Sequence, residues 1–211
     1  MDYQEIKNLK KLKKKRLLIS IMAKSKCNLI VVDDFYNNPN EVRDYILKQD
    51  FSVKGNYPGK RTKSYANEDL KANIQKYVDP FSGKIVDFKM KETDYNGAFQ
   101  YTTSRDRSWI HVDCYNNWGG IIYLTPDAPL SSGTGFYRFK ETGEYYQDVE
   151  HSKTDKYSQD FTKWELVDSV GNVFNRLILF NSKRFHISMD YFGTDLNDSR
   201  LFQVLFFSTE R

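Results

Sequence analysis

His111 and Asp113 stand two residues apart in the stretch Trp109-Ile110-His111-Val112-Asp113-Cys114-Tyr115, and His186 follows much later in Arg184-Phe185-His186-Ile187-Ser188. Side chains on a strand alternate faces, so residues i and i+2 point the same way and can grip one ion. A His and an Asp leave an ion short of ligands, and His186 is the candidate third. Two imidazoles and one carboxylate on one face of an octahedral Fe(II) leave three positions open for chemistry. The pair alone is a weak pattern that chance supplies, and a buried His bonded to a carbonyl is the plain alternative for His186. Context strengthens it: both segments read as strands, and Arg200 opens the last apolar strand.

The elements that must position these residues fall into two halves. Asn28 to Val32 reads as a short strand ended by Asp33-Asp34, and Asn38-Pro39-Asn40-Glu41 announces a helix with Val42, Tyr45 and Ile46 on its apolar stripe. Tyr57-Pro58-Gly59-Lys60-Arg61-Thr62 is a turn-rich loop, and a second helix starts at Asn67 with Leu70, Ile74, Tyr77 and Val78 buried. From residue 84 the rhythm has period two. Segments 84–90, 98–103, 109–115, 121–125 (after a Gly119-Gly120 turn), 136–139, 173–181, 184–188 and 201–208 read as strands. The polar stretch 140–170 reads as a partly helical insertion or lid. Two helices followed by many short strands give a mainly β (α+β) fold, a sheet sandwich or jelly roll with the N-terminal helices packed outside.

Composition bounds the function class. The 211 residues fit one domain, and 15 Phe, 15 Tyr and 3 Trp suit a strand-rich, aromatic-lined interior. The net charge of +4 is concentrated in residues 1–26, where nine Lys and Arg face only Asp2 and Glu5, so the remainder is net acidic. The folded body, 27–211, therefore carries no general argument for nucleic-acid binding. The run Lys7 to Arg16 followed by Leu17 to Ala23 superficially resembles a signal peptide, but Lys24 and Lys26 follow the apolar part at once. A basic, disordered or frayed extension, or translation starting at Met22, is the favoured reading. Cys27 and Cys114 show no paired spacing, which points to a reduced, cytoplasmic setting, and no apolar run reaches the ~20 residues of a membrane span.

In its ordered motifs the chain resembles the 2-oxoglutarate- and Fe(II)-dependent oxygenases, specifically the prolyl-hydroxylase-like branch of the double-stranded β-helix fold. The pattern is H-x-D, a distal His, then a basic residue ten to fifteen positions on, matched here by His111-Val112-Asp113, His186 and Arg200. Three further phrases resemble the small members often encoded by phages or bacteria. They are Asp34-Phe35-Tyr36 with Asn38-Pro39 and Val42-Arg43, the loop Tyr57 to Thr62, and Asn175-Arg176-Leu177-Ile178 leading to Asn181-Ser182-Lys183-Arg184-Phe185-His186. The resemblance covers about residues 28–208.

It implies that His111, Asp113 and His186 bind Fe(II), and that 2-oxoglutarate chelates the iron and is oxidatively decarboxylated to succinate and carbon dioxide with O2. A hydroxylated product would follow, on an amino-acid residue, a peptide or a small metabolite. Asp113 favours hydroxylation over halogenation, because a small residue there would open a halide site. Arg200 would take the distal carboxylate of 2-oxoglutarate in a charge-assisted pair. Many relatives place a Ser two positions after this Arg, where this chain has Phe202. A hydroxyl must then come from elsewhere, with Tyr101 and Tyr123 as candidates. Trp109 and Tyr115 share the face of His111 and are read as packing before pocket lining, Cys114 as core, and His151 as a surface residue outside the site. The loop Tyr57 to Thr62 and the insertion 140–170 are the expected substrate contacts. The rival class is a non-catalytic jelly-roll binding or virion-associated module whose triad is vestigial or holds a structural metal. A cupin-type metalloenzyme without 2-oxoglutarate is a third reading, and it leaves Arg200 without a role.

Overall fold

The computed structural model describes residues 27–147 and 154–211. The basic segment 1–26, with Met22, and His151 lie outside the described residues.

Strand β1 (Leu29–Val32) leads through a turn into helix α1 (Pro39–Ile46). Pro39 sits in the first turn, where its missing N–H costs nothing. Asn38 makes no side-chain cap; its amide instead donates to Glu41 Oε2 at 3.4 Å. The helix buries Ile46 and Arg43, whose Nη1 and Nη2 donate to the carbonyls of Leu124 and Asn197 at 2.8 and 2.6 Å. Tyr45, expected on the buried stripe, is exposed. Strand β2 (Lys60–Ser64) precedes helix α2 (Glu68–Ser82), where Asn67 Oδ1 accepts from the Leu70 N–H at 2.8 Å. Leu70, Ile74 and Val78 recur at helical spacing and face the core.

Then come β3 (Ile85–Asp87), β4 (Ala98–Thr102), β5 (Trp118–Tyr123), β6 (Thr134–Phe139), β7 (Trp164–Val170), β8 (Leu177–Asn181), β9 (His186–Ser188) and β10 (Arg200–Thr209). The larger sheet runs β1-β8-β5-β10-β4-β2 with β3 on the far end of β10, and the smaller runs β7-β6-β9. All pairings are antiparallel. This is the jelly roll the sequence reading expects, with both helices outside.

Alternation divides the larger sheet's side chains between two buried faces. Ile122, Leu124, Leu177, Leu179, Leu201, Leu205 and Phe207 pack beneath the helices with Ile46, Leu70, Ile74 and Val78. Tyr123, Ile178, Phe180, Phe202 and Val204 face the smaller sheet. Between the sheets lies a cavity of about 830 Å³.

Several expected boundaries differ. Residues 109–115 form no regular strand; His111 makes a single antiparallel bridge to His186, and the chain turns after Asp113. Gly119 and Gly120 lie inside β5 and form no turn before it. A Cβ on Gly120 would sit 2.7 Å from Leu179 Cδ2 and 3.0 Å from the Ile178 carbonyl oxygen, so close strand packing selects glycine there. The stretch 140–170 contains β7, with short 3-10 turns at Asp155–Tyr157 and Phe161–Lys163. Its residues Glu165 to Ser169 are exposed, so no apolar alternation marked them as a strand. The loop Tyr57 to Thr62 runs into β2, whose polar side chains concealed it in the same way. Among the described residues no helix is long and apolar enough to cross a membrane.

Candidate metal centre

The smaller sheet and the segment before β5 bring His111, Asp113 and His186 together. One ligand atom from each lies within 4.8 Å of the others. His111 is held by reciprocal backbone bonds with His186, at 3.0 and 2.9 Å, and Asp113 is held by its N–H donating to the Ser182 carbonyl at 2.8 Å. Only Val112 separates those anchors, and both flanking side chains turn to one side.

The imidazoles are oriented from behind. His111 Nδ1 lies 2.8 Å from the Trp109 carbonyl, and His186 Nδ1 lies 2.8 Å from the Arg184 carbonyl. A carbonyl only accepts, so each Nδ1 carries the proton and each Nε2 presents its lone pair to the centre. This is the outer bracing that metal-ligating histidines need. His186 Nε2 stands 3.3 Å from Asp113 Oδ2, and the two rings stand 4.4 Å apart between centroids. Burial and the neighbouring His186 hold the His111 pKa below its ordinary value, against the pull of Asp113. For Asp113 burial pushes upward, but His186, His111 and Arg61 outweigh it and keep the carboxyl below the usual range. A neutral imidazole at His111 and an ionised carboxylate at Asp113 are forms that coordinate a cation.

Arg200 opens β10 and is fully buried. Its Nε donates to the Ser132 carbonyl at 2.7 Å and Nη2 to that of Gly133 at 3.4 Å, while Nη1 is buried with no hydrogen-bond partner. A buried guanidinium with an idle donor is costly unless an anion meets it. The Tyr123 side chain lies beside it, with the Arg200 guanidinium carbon 5.4 Å from its ring centroid and the hydroxyl 2.7 Å from Thr134 Oγ1. Phe202, the departure from the Ser of many relatives, stacks on the guanidinium with its centroid 4.3 Å from the central carbon. Tyr123 therefore lies beside Arg200. Tyr101 does not: it packs against Phe51, 5.2 Å between ring centroids, on the helix-covered face. Neighbouring residues on β4 face opposite ways, which puts Gln100 towards the cavity and Tyr101 away from it.

The cavity is walled by Ile121, Phe180, Val204 and Phe206 from the larger sheet and by Thr134 and Ser188 from the smaller one. Trp109 and Tyr115 both line it, and Tyr115 is 84% exposed, so it lies at the rim and does not fill a core. Cys114, expected in the core, is only half-buried because it sits in the turn after Asp113. Arg61 was expected only as part of the substrate-contacting loop Tyr57 to Thr62 and Gln100 was given no role, yet both line the cavity. The phrase Tyr57 to Thr62 held the signal, but a charged side chain in a polar strand gives no sign of pointing inward.

The sequence matches the family described as "Family of unknown function (DUF6445)" over residues 13–190. The chain belongs to the DUF6445 family. No curated protein matches this DUF6445 member by sequence. Solved structures do match its fold. HygX from Streptomyces hygroscopicus, with nickel and 2-oxoglutarate bound, is 12% identical with a TM-score of 0.57, over 88% of this chain and 84% of that one. A prolyl hydroxylase from Trichoplax adhaerens, in complex with a hypoxia-inducible-factor peptide fragment, is 12% identical with a TM-score of 0.54, over 100% and 94%. SnoN, a non-haem α-ketoglutarate-dependent epimerase of nogalamycin biosynthesis, is 12% identical with a TM-score of 0.54, over 90% and 82%. The DUF6445 chain thus has the double-stranded β-helix fold of the 2-oxoglutarate- and Fe(II)-dependent oxygenases, as its motifs led us to expect.

Proposed function

We propose that this protein is an Fe(II)- and 2-oxoglutarate-dependent dioxygenase that hydroxylates a C–H bond of an organic substrate. The observation that carries the proposal is the convergence of His111, Asp113 and His186, with both imidazoles held in the tautomer that presents Nε2. These three residues would hold the iron. Bound there, Fe(II) and 2-oxoglutarate supply O2 activation coupled to release of succinate and carbon dioxide.

The chain's own residues do the rest. The Trp109 and Arg184 carbonyls keep protons on the far side of each imidazole, so neither ring turns away. The idle Nη1 of Arg200 receives the distal carboxylate of 2-oxoglutarate, and Tyr123 adds its hydroxyl. Ser132 and Gly133 aim the guanidinium from behind while Phe202 fixes its plane. Ile121, Phe180 and Val204 exclude water from the path between. An aspartate as the carboxylate ligand favours hydroxylation over halogenation.

The test is anaerobic Fe(II) titration followed by oxygen exposure with 2-oxoglutarate, reading succinate. Wild-type protein is expected to bind about one equivalent of iron and release succinate without an added substrate. His111→Ala should do neither. Iron binding without succinate under any condition would leave a structural metal site and sink the enzyme reading.

A further inference from the structure

Arg61 is a buried guanidinium on the wall of the same cavity as His111, Asp113 and His186. It lies on β2, at the sheet edge opposite β1, and pairs in register with Gln100 of β4. Its Nε donates to Gln100 Oε1 at 2.9 Å, and Nη2 donates to the same oxygen. Gln100 is itself fixed, because its Nε2 donates to the Pro58 carbonyl at 2.6 Å. Tyr57 stacks under the guanidinium, 3.7 Å from ring centroid to central carbon, and Tyr95 flanks it at 5.4 Å. The group is held flat, with a neutral amide on one edge.

That arrangement leaves charge and donors over. A guanidinium offers five N–H donors, and Gln100 takes two, so Nη1 and the second hydrogen of Nη2 are uncommitted along one edge. Among the described residues no carboxylate lies within ion-pair distance of Arg61, which is 6% exposed. Burial draws its pKa down to about 10, against the opposing pull of Tyr57, Asp113 and Tyr95, so it remains a cation at neutral pH. A planar cation in an apolar, aromatic clamp with one free two-donor edge matches a carboxylate. Arg200 already offers such a site to 2-oxoglutarate by way of β10. Arg61 lines from β2 the same cavity as Asp113, whose carboxyl its charge helps to hold below the usual range.

Resting on the oxygenase reading above, we propose that the prime substrate is a small carboxylic acid whose carboxylate is clamped by Arg61, with its reacting carbon towards the triad. A cavity of about 830 Å³ suits a small molecule beside 2-oxoglutarate.

The test is calorimetric titration of anaerobic protein loaded with Fe(II) and 2-oxoglutarate. The probes are the common L-amino acids and their N-acetyl derivatives, each as free acid and as carboxamide. At least one acid should bind tenfold or more tighter than its amide. Arg61→Gln should erase that preference, a loss on the order of ten- to hundredfold for a charge-assisted pair, while the Kd of 2-oxoglutarate moves less than threefold. Should Arg61→Gln fail to fold, Arg61→Lys keeps a cation over Tyr57; it should keep the preference but weaken it, having lost the planar fork. Three results would overturn the proposal: no acid favoured over its amide, a preference that survives in Arg61→Gln, or a loss of 2-oxoglutarate affinity in its place. Absence of iron-dependent 2-oxoglutarate binding in the wild type would instead defeat the oxygenase reading itself.

Discussion

Arg200 and Arg61 are both buried, and each is hydrogen-bonded by neutral groups only: Arg200 by the Ser132 and Gly133 carbonyls, Arg61 by Gln100. In a finished core such charges would be costly, so they are most economically read as halves of pairs completed by ligands. Arg200→Met separates the two roles. Relief of the guanidinium's desolvation offsets the lost bond to Ser132, so the melting temperature of ligand-free protein should stay within a few degrees. Affinity for 2-oxoglutarate should fall roughly ten- to hundredfold, since one charge-assisted hydrogen bond is worth about 1.5–3 kcal/mol. Thermal melts with and without 2-oxoglutarate check both halves. A collapse of the ligand-free protein would make Arg200 a structural residue.

Strands β5, β8 and β10 form the floor under the site, and their spacing depends on what is missing from β5. A Cβ on Gly119 would stand 3.0 Å from Phe180 Cε2 and 3.6 Å from Asp113 Oδ2, and one on Gly120 would press on Leu179, Ile178 and Leu205. Gly120→Ala should cost about 1–3 kcal/mol through overpacking, read as a melting temperature lower by roughly 3–10 °C. No change on melting would mean that the strands part freely there. The end of β1 is tied to the segment before β8 by a two-pronged ion pair: Arg176 Nε to Asp33 Oδ1 at 2.6 Å and Nη2 to Oδ2 at 3.0 Å. The bond from Arg176 holds the Asp33 carboxyl below its ordinary value of 3.8, against a small opposing effect of burial. A depressed folded pKa means the unfolded chain binds the proton more tightly. The stabilisation is therefore whole above pH 3.8 and disappears as pH falls through the lower folded value. Asp33 is well exposed, so the effect is small. The melting-temperature gap between wild type and Asp33→Asn should be present at neutral pH and close in acid; a gap independent of pH would rule out the pair as its source.

For the molecule as a whole, the site lies between the two sheets, and a ligand touching both should act as a staple. On the proposed function, His186 on β9 and Asp113 before β5 would both hold Fe(II), while Arg200 on β10 would hold the far end of 2-oxoglutarate. Ligands bound only by the folded state stabilise it by mass action, about 2.7 kcal/mol at a hundred times Kd. For a chain of this size that corresponds to a rise of roughly 5–10 °C, to be read by anaerobic thermal melts and reversed by a chelator. A melting temperature indifferent to both ligands would remove the staple.

The strand-rich fold with outer helices was legible in the sequence, and His111, Asp113, His186 and Arg200 could be named there as candidates. These depend on local properties: donor type, spacing along the chain and the period of apolar residues. Only the packed chain shows that Tyr123 lies beside Arg200 and that Arg61 points inward. The reason lies in the larger sheet, which is buried on both sides, by helices on one and the smaller sheet on the other. On β4 nearly every side chain is buried, so alternation separates Gln100 from Tyr101 but does not say which of them faces the cavity. That choice is made by the packing of the whole chain, when the helices cover one face and β6 and β9 close over the other.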